Sequence, residues 1–356
     1  MQLEISQDQY LEIEKLSLGF FHPVSKFMNE DEFNSCVEFM RLPDNVIFPL
    51  PIVFDVSKEH ATNLPYCKEI RCMFNGNHVA NVFPEDVYRV DKSLVCPKLF
   101  GTPDPKHPGT QYFQALGEYF ISGGVELLRP CEFNFSTYEF SPTQIKEEIR
   151  QKGWKRVAGF QTRNIPHRAH EYLQKIALEH CDGLLIQPLV GFKKVGDFSP
   201  EAVIRSYQIL MDQFFPNSRV IFSVISTIMR YAGPREAVFH AILRRNCGCT
   251  DFIVGRDHAG IGDYYGLYAA QQLAKELENE LGIRIMDLAG PFYCNLCEGI
   301  TTEKTCPHRE TNPSACVDIS GTYIRGQILG NNLIDSNLVR PSIIEAIRNI
   351  KEPFVT

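Results

Sequence analysis

Between about residues 141 and 290 the chain alternates short apolar runs with longer amphipathic stretches, and this alternation limits the fold more than any other feature. A helical pattern over roughly 142–152 precedes an apolar run at 155–160. A helix from about 168 to 179 then leads to a strand at 183–187, and a helix around 200–214 to a strand at 220–223. A helix at 235–245, a strand at 251–254, a long helix around 264–281 and a strand at 284–287 complete the series. Strands separated by helices at this spacing build βαβ units, because each helix returns the chain to the edge where the next strand starts. The sequence therefore predicts an α/β domain with a mostly parallel sheet. Ligands of such sheets lie beyond the carboxyl ends of the strands.

The flanking segments obey different rules. Residues 1–130 read as strand and turn more than helix, with one short helix around 30–40. The extended apolar run at 46–54 contains Pro49 and Pro51, which suits an edge or broken strand. Asn75-Gly76 between apolar flanks signals a hairpin, and the proline-rich stretch at 101–109 reads as a rigid connecting loop. After residue 290 come a cysteine cluster, a Ser-Gly-Thr loop and a terminal helix near 342–350. The expected divisions are 1–140, 141–290 and 291–356, in keeping with a 356-residue chain too long for one ordinary core.

Charge and composition narrow the functional classes. The net charge of −7 comes with no stripe of lysine and arginine, so no nucleic-acid partner is expected. A small anion needs only a local positive pocket and remains compatible. No run approaches the roughly 18 apolar residues that span a membrane. The polar, acidic start is neither a signal nor a transit peptide, so a cytoplasmic location is expected. Of the twelve cysteines only Cys294, Cys297 and Cys306 cluster, which argues against a disulfide framework.

The loops after the strands carry the chemistry. Gln161-Thr162-Arg163-Asn164-Ile165-Pro166-His167-Arg168-Ala169-His170 lies between a strand and a helix start. Two imidazoles three residues apart share a helix face, with a guanidinium and an amide just before them. This suits phosphate held by side chains and the helix N-terminus, since the loop has no glycine. An ordinary βα junction with two solvated histidines is the alternative. Gly255-Arg256-Asp257-His258-Ala259-Gly260-Ile261-Gly262-Asp263 follows the next strand signal but two, and packs three polar functions between glycines. Its alternative is a strand-terminating turn with a surface ion pair. In the loop after 220–223, Arg230 and Arg235 are both available to phosphate, although a structural role for Arg235 is at least as well supported. His240 reads as an ordinary helix residue. Lys193-Lys194 either closes over an anion or forms a solvated turn.

Neither a Gly-x-x-x-x-Gly-Lys-Ser/Thr loop nor a Gly-x-Gly-x-x-Gly fingerprint is present, and there is no Gly-x-Ser-x-Gly elbow. Many cationic donors without an evident nucleophile suit direct transfer at phosphorus, where placement and charge neutralisation do most of the work. Cys294-x2-Cys297-x8-Cys306-x-His308 offers three thiolates and an imidazole, a tetrahedral set for structural zinc with no position left for water. Buried thiols without a metal are the alternative.

Several of these blocks together resemble the ATP sulfurylase (sulfate adenylyltransferase) family, of the bacterial or archaeal type without a fused adenylylsulfate kinase domain. The blocks are 101–109, 153–164 with His167 and His170, 229–237, 255–260, and Ile319-Ser320-Gly321-Thr322 followed by Arg325. The resemblance implies a PUA-like β-rich N-terminal domain, a Rossmann-like nucleotidyltransferase domain and a small zinc-bearing C-terminal part. It implies transfer of AMP from MgATP to sulfate, giving adenylyl sulfate and pyrophosphate, reversibly. Magnesium travels with ATP. By position, Gln161, Arg163 and the backbone of Ala259 resemble the sulfate binders, and Thr162 and Asn164 the nucleotide contacts. His167 and His170 resemble the pair gripping the ATP phosphates, and Arg256, Asp257 and His258 belong to the second nucleotide loop. Arg230 sits in a further matching block and is expected at the substrate. A homodimer is the expected assembly. A nucleotidyltransferase for another acceptor, such as a phosphorylated cofactor precursor, and a zinc-stabilised RNA-binding protein are the competing readings.

Overall fold

The computed structural model describes residues 1–63 and 67–356. Among these residues the strands form three sheets. The central one has five strands, all parallel, in the spatial order Arg284–Asp287, Asp251–Val254, Val157–Phe160, Gly183–Ile186, Val220–Phe222. All the residues of its three middle strands are buried. That explains why they read as continuous apolar runs rather than as an alternation.

Alternate side chains of this sheet enter two different cores. Ala158, Leu184 and Ile253 face the helices Arg168–His180, Pro200–Phe214 and Pro341–Arg348. Val157, Leu185 and Phe252 face the helix Pro234–Asn246, and there the core runs without a break into the N-terminal region. Phe239 of that helix meets Phe21 and Phe48, while Arg235 donates to the carbonyls of Cys36, Val37 and Pro49. Arg235 thus has the structural role weighed above. The helix starts follow their sequence signals: Ser141 and Gln144 form a capping box ahead of Pro142–Gln151, and Ser199 caps Pro200–Phe214.

The N-terminal region holds a six-stranded mixed sheet. Its hairpin joins Ile70–Phe74 to Asn77–Arg89, and Asn75 and Gly76 both take positive φ, 50° and 73°, as a tight two-residue turn requires. The run at 46–54 is broken as expected, and only its last residue enters a strand, Phe54–Val56. The low helix content expected for 1–130 is not found. Helices occupy Gln7–Ser17, Glu30–Phe39, Lys58–Asn63, Lys92–Phe100 and Pro108–Ala115. The first was hidden because Glu12, Glu14 and Lys15 lie on buried positions, which blurs its apolar period. The helix expected at 264–281 starts at Ala269 and is interrupted at Leu277, so the loop before it is longer than expected.

The third sheet is antiparallel and joins Pro291–Cys294, Gly299–Thr302 and Cys316–Asp318. It carries the cysteine cluster and delivers the chain to Ser320, which caps the helix Gly321–Leu329.

Candidate active site

A cleft of about 480 Å³ opens at the carboxyl edge of the parallel sheet. Gln161, Thr162, Arg163, Asn164, His167, His170, Arg256, Asp257, His258 and Ala259 all line it. The N-terminal turns of two helices, Arg168–His180 and Gly321–Leu329, contribute to its wall. Helix starts concentrate unpaired N–H groups and positive potential, which suits an anionic ligand.

His167 is the N-cap of its helix, and its Nδ1 accepts from the His170 amide at 3.3 Å. This fixes the tautomer, placing the proton of the neutral ring on Nε2. The His167 and His170 rings stack with centroids 3.6 Å apart. Burial holds both below the ordinary imidazole range, His170 at about 3 and His167 well below its usual value with a contribution from His170. Both rings are therefore neutral in the folded chain, not the cations that the sequence suggested.

The loop of Asp257 and Ala259 is locally strained. Both residues take left-handed φ, 54° and 56°. Alternating left-handed residues turn successive N–H groups toward one side, an anion-holding arrangement. Gly260 permits the turn, since a Cβ there would lie 1.8 Å from the Asp257 Oδ1. Arg163 Nη2 donates to the Gly260 carbonyl at 3.1 Å, tying this loop to the first one. Arg256 pairs with Asp318 at 3.2 Å, which brings the third sheet against the cleft.

His240 is a buried residue of the helix Pro234–Asn246 and does not line the cleft, as expected, but it packs against the second loop. His240 Nδ1 lies 3.1 Å from His258 Nε2, and its Nε2 lies 3.6 Å from Glu236. Burial lowers both imidazoles, His258 to about 3, and lifts Glu236 to about 7. The i, i+4 spacing of Glu236 and His240 was the available signal.

Arg230 corrects the expectation of a ligand contact. It does not line this cleft: Nη2 binds Glu12 at 2.6 Å and the guanidinium covers the Phe239 ring. A carboxylate 218 positions away claims the charge that the local pattern left free. Lys193 and Lys194 do not line the cleft either. Lys193 is buried and donates to the Phe198 carbonyl, while Lys194 pairs with Asp197 at 3.2 Å.

The cysteine cluster closes as its spacing suggested. The ligand atoms of Cys294, Cys297, Cys306 and His308 all lie within 4.8 Å of one another. Cys297 Sγ is 3.7 Å from Cys306 Sγ and 3.2 Å from His308 Nδ1. Thiolates on a tetrahedral ion with bonds of about 2.3 Å stand about 3.8 Å apart, so the set fits one ion.

A parallel sheet with anion-seeking helix starts at its carboxyl edge, joined to a β-rich domain, defines an α/β protein of the Rossmann-like, phosphate-binding class. A family model described as ATP-sulfurylase matches residues 136–350, and one for a PUA-like domain matches residues 1–130. A sulfate adenylyltransferase of Pyrococcus abyssi is 39% identical, covering 99% of this chain and 92% of that one. One of Trichormus variabilis is 40% identical over 96% of this chain and 87% of its own. Among solved structures, a hexameric APS kinase from Thiobacillus denitrificans superposes with a TM-score of 0.75 at 20% identity. It covers 99% of this chain and 63% of that chain, and bears on the fold alone. The chain belongs to the ATP sulfurylase family.

Acid should destabilise this protein in a defined window. His167, His170, His240 and His258 are folded with pKa values below 6.5, so between about pH 6.5 and 3 the unfolded chain binds protons that the folded chain refuses. Their contribution is present above pH 6.5 and lost as pH falls. Glu236 and Asp8, raised to about 7 and about 6 by burial, work the other way but are outnumbered. The melting temperature is therefore expected to fall from pH 7 to pH 5, before ordinary carboxylates titrate, and a flat profile there contradicts the neutral imidazoles. Differential scanning calorimetry measures it.

Proposed function

We propose that the cleft transfers AMP from MgATP to sulfate, giving adenylyl sulfate and pyrophosphate. A sulfate oxygen forms a bond to the α-phosphorus while the bond from that phosphorus to the bridging oxygen breaks, and pyrophosphate leaves with the electron pair. Sulfate has no proton to lose, so the site needs no general base. It must place the acceptor in line and take up the charge developing on the leaving group.

The observation that supports these roles most strongly is the bond from Arg163 to the Gly260 carbonyl, which sets the Gln161–Asn164 run beside Ala259 in one cleft. Gln161, Arg163 and the Ala259 backbone hold sulfate in this reading, while Thr162, Asn164, Arg256, Asp257 and His258 face the nucleotide. His167 and His170 donate to the phosphates from a helix start. Magnesium arrives with ATP and neutralises phosphate charge; no residue of this chain is assigned to hold it. The ion in the Cys294, Cys297, Cys306 and His308 set is zinc, with a structural role, since four protein ligands leave no place for substrate. The division into 1–140, 141–290 and 291–356, a homodimeric assembly, a cytoplasmic location and the lack of a nucleic-acid partner belong to the same reading. No helix among the described residues is long and apolar enough to cross a membrane.

Exchange of labelled pyrophosphate into ATP is expected to depend on added sulfate. Exchange that proceeds equally without sulfate overturns the choice of acceptor and points to transfer of AMP to another group.

A further inference from the structure

One carboxylate between the Arg163 loop and the C-terminal helix has more cations around it than it can balance. The Asp197 side chain is wholly buried, and Tyr231 donates its hydroxyl hydrogen to Oδ2 at 3.0 Å. Lys194 Nζ lies 3.2 Å away, Arg325 Nη1 3.4 Å and Arg163 Nε 3.5 Å. Lys193 is buried beside them, and burial lowers it to about 7. Burial pushes the Asp197 carboxyl up, but Arg163, Lys194 and Arg325 outweigh it and hold the group below the usual range. Asp257 and Glu236 also face Arg163, and burial raises both carboxyls. Within 3.5 Å of Asp197 three cations meet a single buried carboxylate, so positive charge is in excess around that group. Such a surplus is costly unless an anion completes it.

The guanidiniums are held apart rather than locked to the carboxylate. Arg163 Nε and Asp197 Oδ1 have no hydrogen-bond partner although both atoms are buried. Both arginines line the cleft. Arg325 Nη1 donates to Asn164 Oδ1 at 2.8 Å, and Nη2 to Thr322 Oγ1 at 3.0 Å. Arg325 thus reaches from the Gly321–Leu329 helix into the run that carries Gln161 and Arg163.

We propose that Arg325 is a second substrate-binding guanidinium on the acceptor side of the cleft, and that Asp197 is the positioning residue that holds both arginines there. The proposal rests on the sulfate reading above. Two forks set by one carboxylate present donors to different oxygens of a doubly charged tetrahedral anion, which a single arginine cannot do.

The test uses the full chain and sulfate-dependent pyrophosphate–ATP exchange. Arg325→Ala is expected to raise the KM for sulfate roughly ten- to hundredfold while the KM for ATP stays within about twofold, the loss expected for a charged hydrogen bond. Added guanidinium chloride should restore part of the activity of that variant and none in the wild type, a rescue that a packing defect does not show. Asp197→Asn keeps the shape and removes the charge, and should lower kcat/KM for sulfate at least about tenfold with little change for ATP. Should that variant not fold, Asp197→Glu replaces it under the same criterion, since an extra methylene displaces both forks. Equal changes for sulfate and ATP, or an unchanged KM for sulfate in Arg325→Ala, overturn the assignment of Arg325. An unchanged kcat/KM for sulfate in the Asp197 variant overturns the positioning role. Wild-type protein without sulfate-dependent exchange would remove the acceptor reading itself, a different failure visible before any variant is made.

Discussion

Replacing Arg163 by alanine is expected to lower kcat/KM for sulfate by roughly a hundredfold or more, since a charged hydrogen bond contributes about 1.5–3 kcal/mol and this side chain also fixes a loop. Its Nη2 holds the Gly260 carbonyl, its Nε faces Asp197, and its guanidinium lies 5.2 Å from the Tyr231 ring centre. Removing it frees the turn of Asp257 and Ala259, whose left-handed backbone needs outside support. Turnover should therefore fall with affinity. Arg163→Lys should recover little, because a point charge cannot reproduce a fork that bonds backbone on one edge and ligand on the other. The fold should survive, since Asp197 keeps Lys194, Arg325 and Tyr231 as partners. Steady-state kinetics with sulfate varied at saturating ATP decide it. A change of less than about threefold in kcat/KM, under 1 kcal/mol, would place the acceptor elsewhere.

The residues that matter for this prediction were legible to different degrees, and the reason is physical distance. The parallel sheet was readable because its strands are buried on both faces and its helices begin at strong local signals, such as Ser141 with Gln144 and Ser199 before Pro200. The Asn75-Gly76 turn was readable because two left-handed residues in sequence tolerate few other side chains. The two polar loops were readable because each lies directly after a strand, where such a sheet presents its ligand edge.

Long-range ion pairs were not readable. Arg230 has the same local setting as a phosphate ligand, yet Glu12 on the first helix takes its charge. Lys15, fully buried, is held by Glu14 and Glu139 from opposite ends of the N-terminal region. No local pattern singles out Asp197, and only the fold sets it beside Arg163 and Arg325. Protonation was hidden for the same reason. A run containing His167 and His170 reads as positive, but burial keeps both rings neutral, with a contribution from His170 at His167.

The second large effect concerns the Cys294, Cys297, Cys306 and His308 set. Chelation, or Cys297→Ser, is expected to remove zinc and lower the melting temperature by at least about 5 °C, because the folding energy of such a site is largely metal-binding energy. The local core is small: Phe292, Cys294 and Cys306 are its buried members, with Cys316 packed beside them. Without the ion the turn carrying Cys297, the exposed ligand, has little to hold it against the strand pair Pro291–Cys294 and Gly299–Thr302. The effect on catalysis should be indirect and partial. The third strand of that sheet, Cys316–Asp318, places Asp318 between Arg256 and Arg309, 3.2 Å from each, and then continues into Ser320 at the start of the helix that carries Arg325. Loosening the sheet therefore lets Arg256 and the Gly321–Leu329 helix drift from the cleft, raising KM for both substrates while activity at low temperature partly survives. Native mass spectrometry should find one zinc per chain in the wild type and none in Cys297→Ser, with calorimetry and exchange assays run on the same samples. If Cys297→Ser keeps the wild-type melting temperature but abolishes turnover at every temperature, the ion faces substrate and the structural role is wrong.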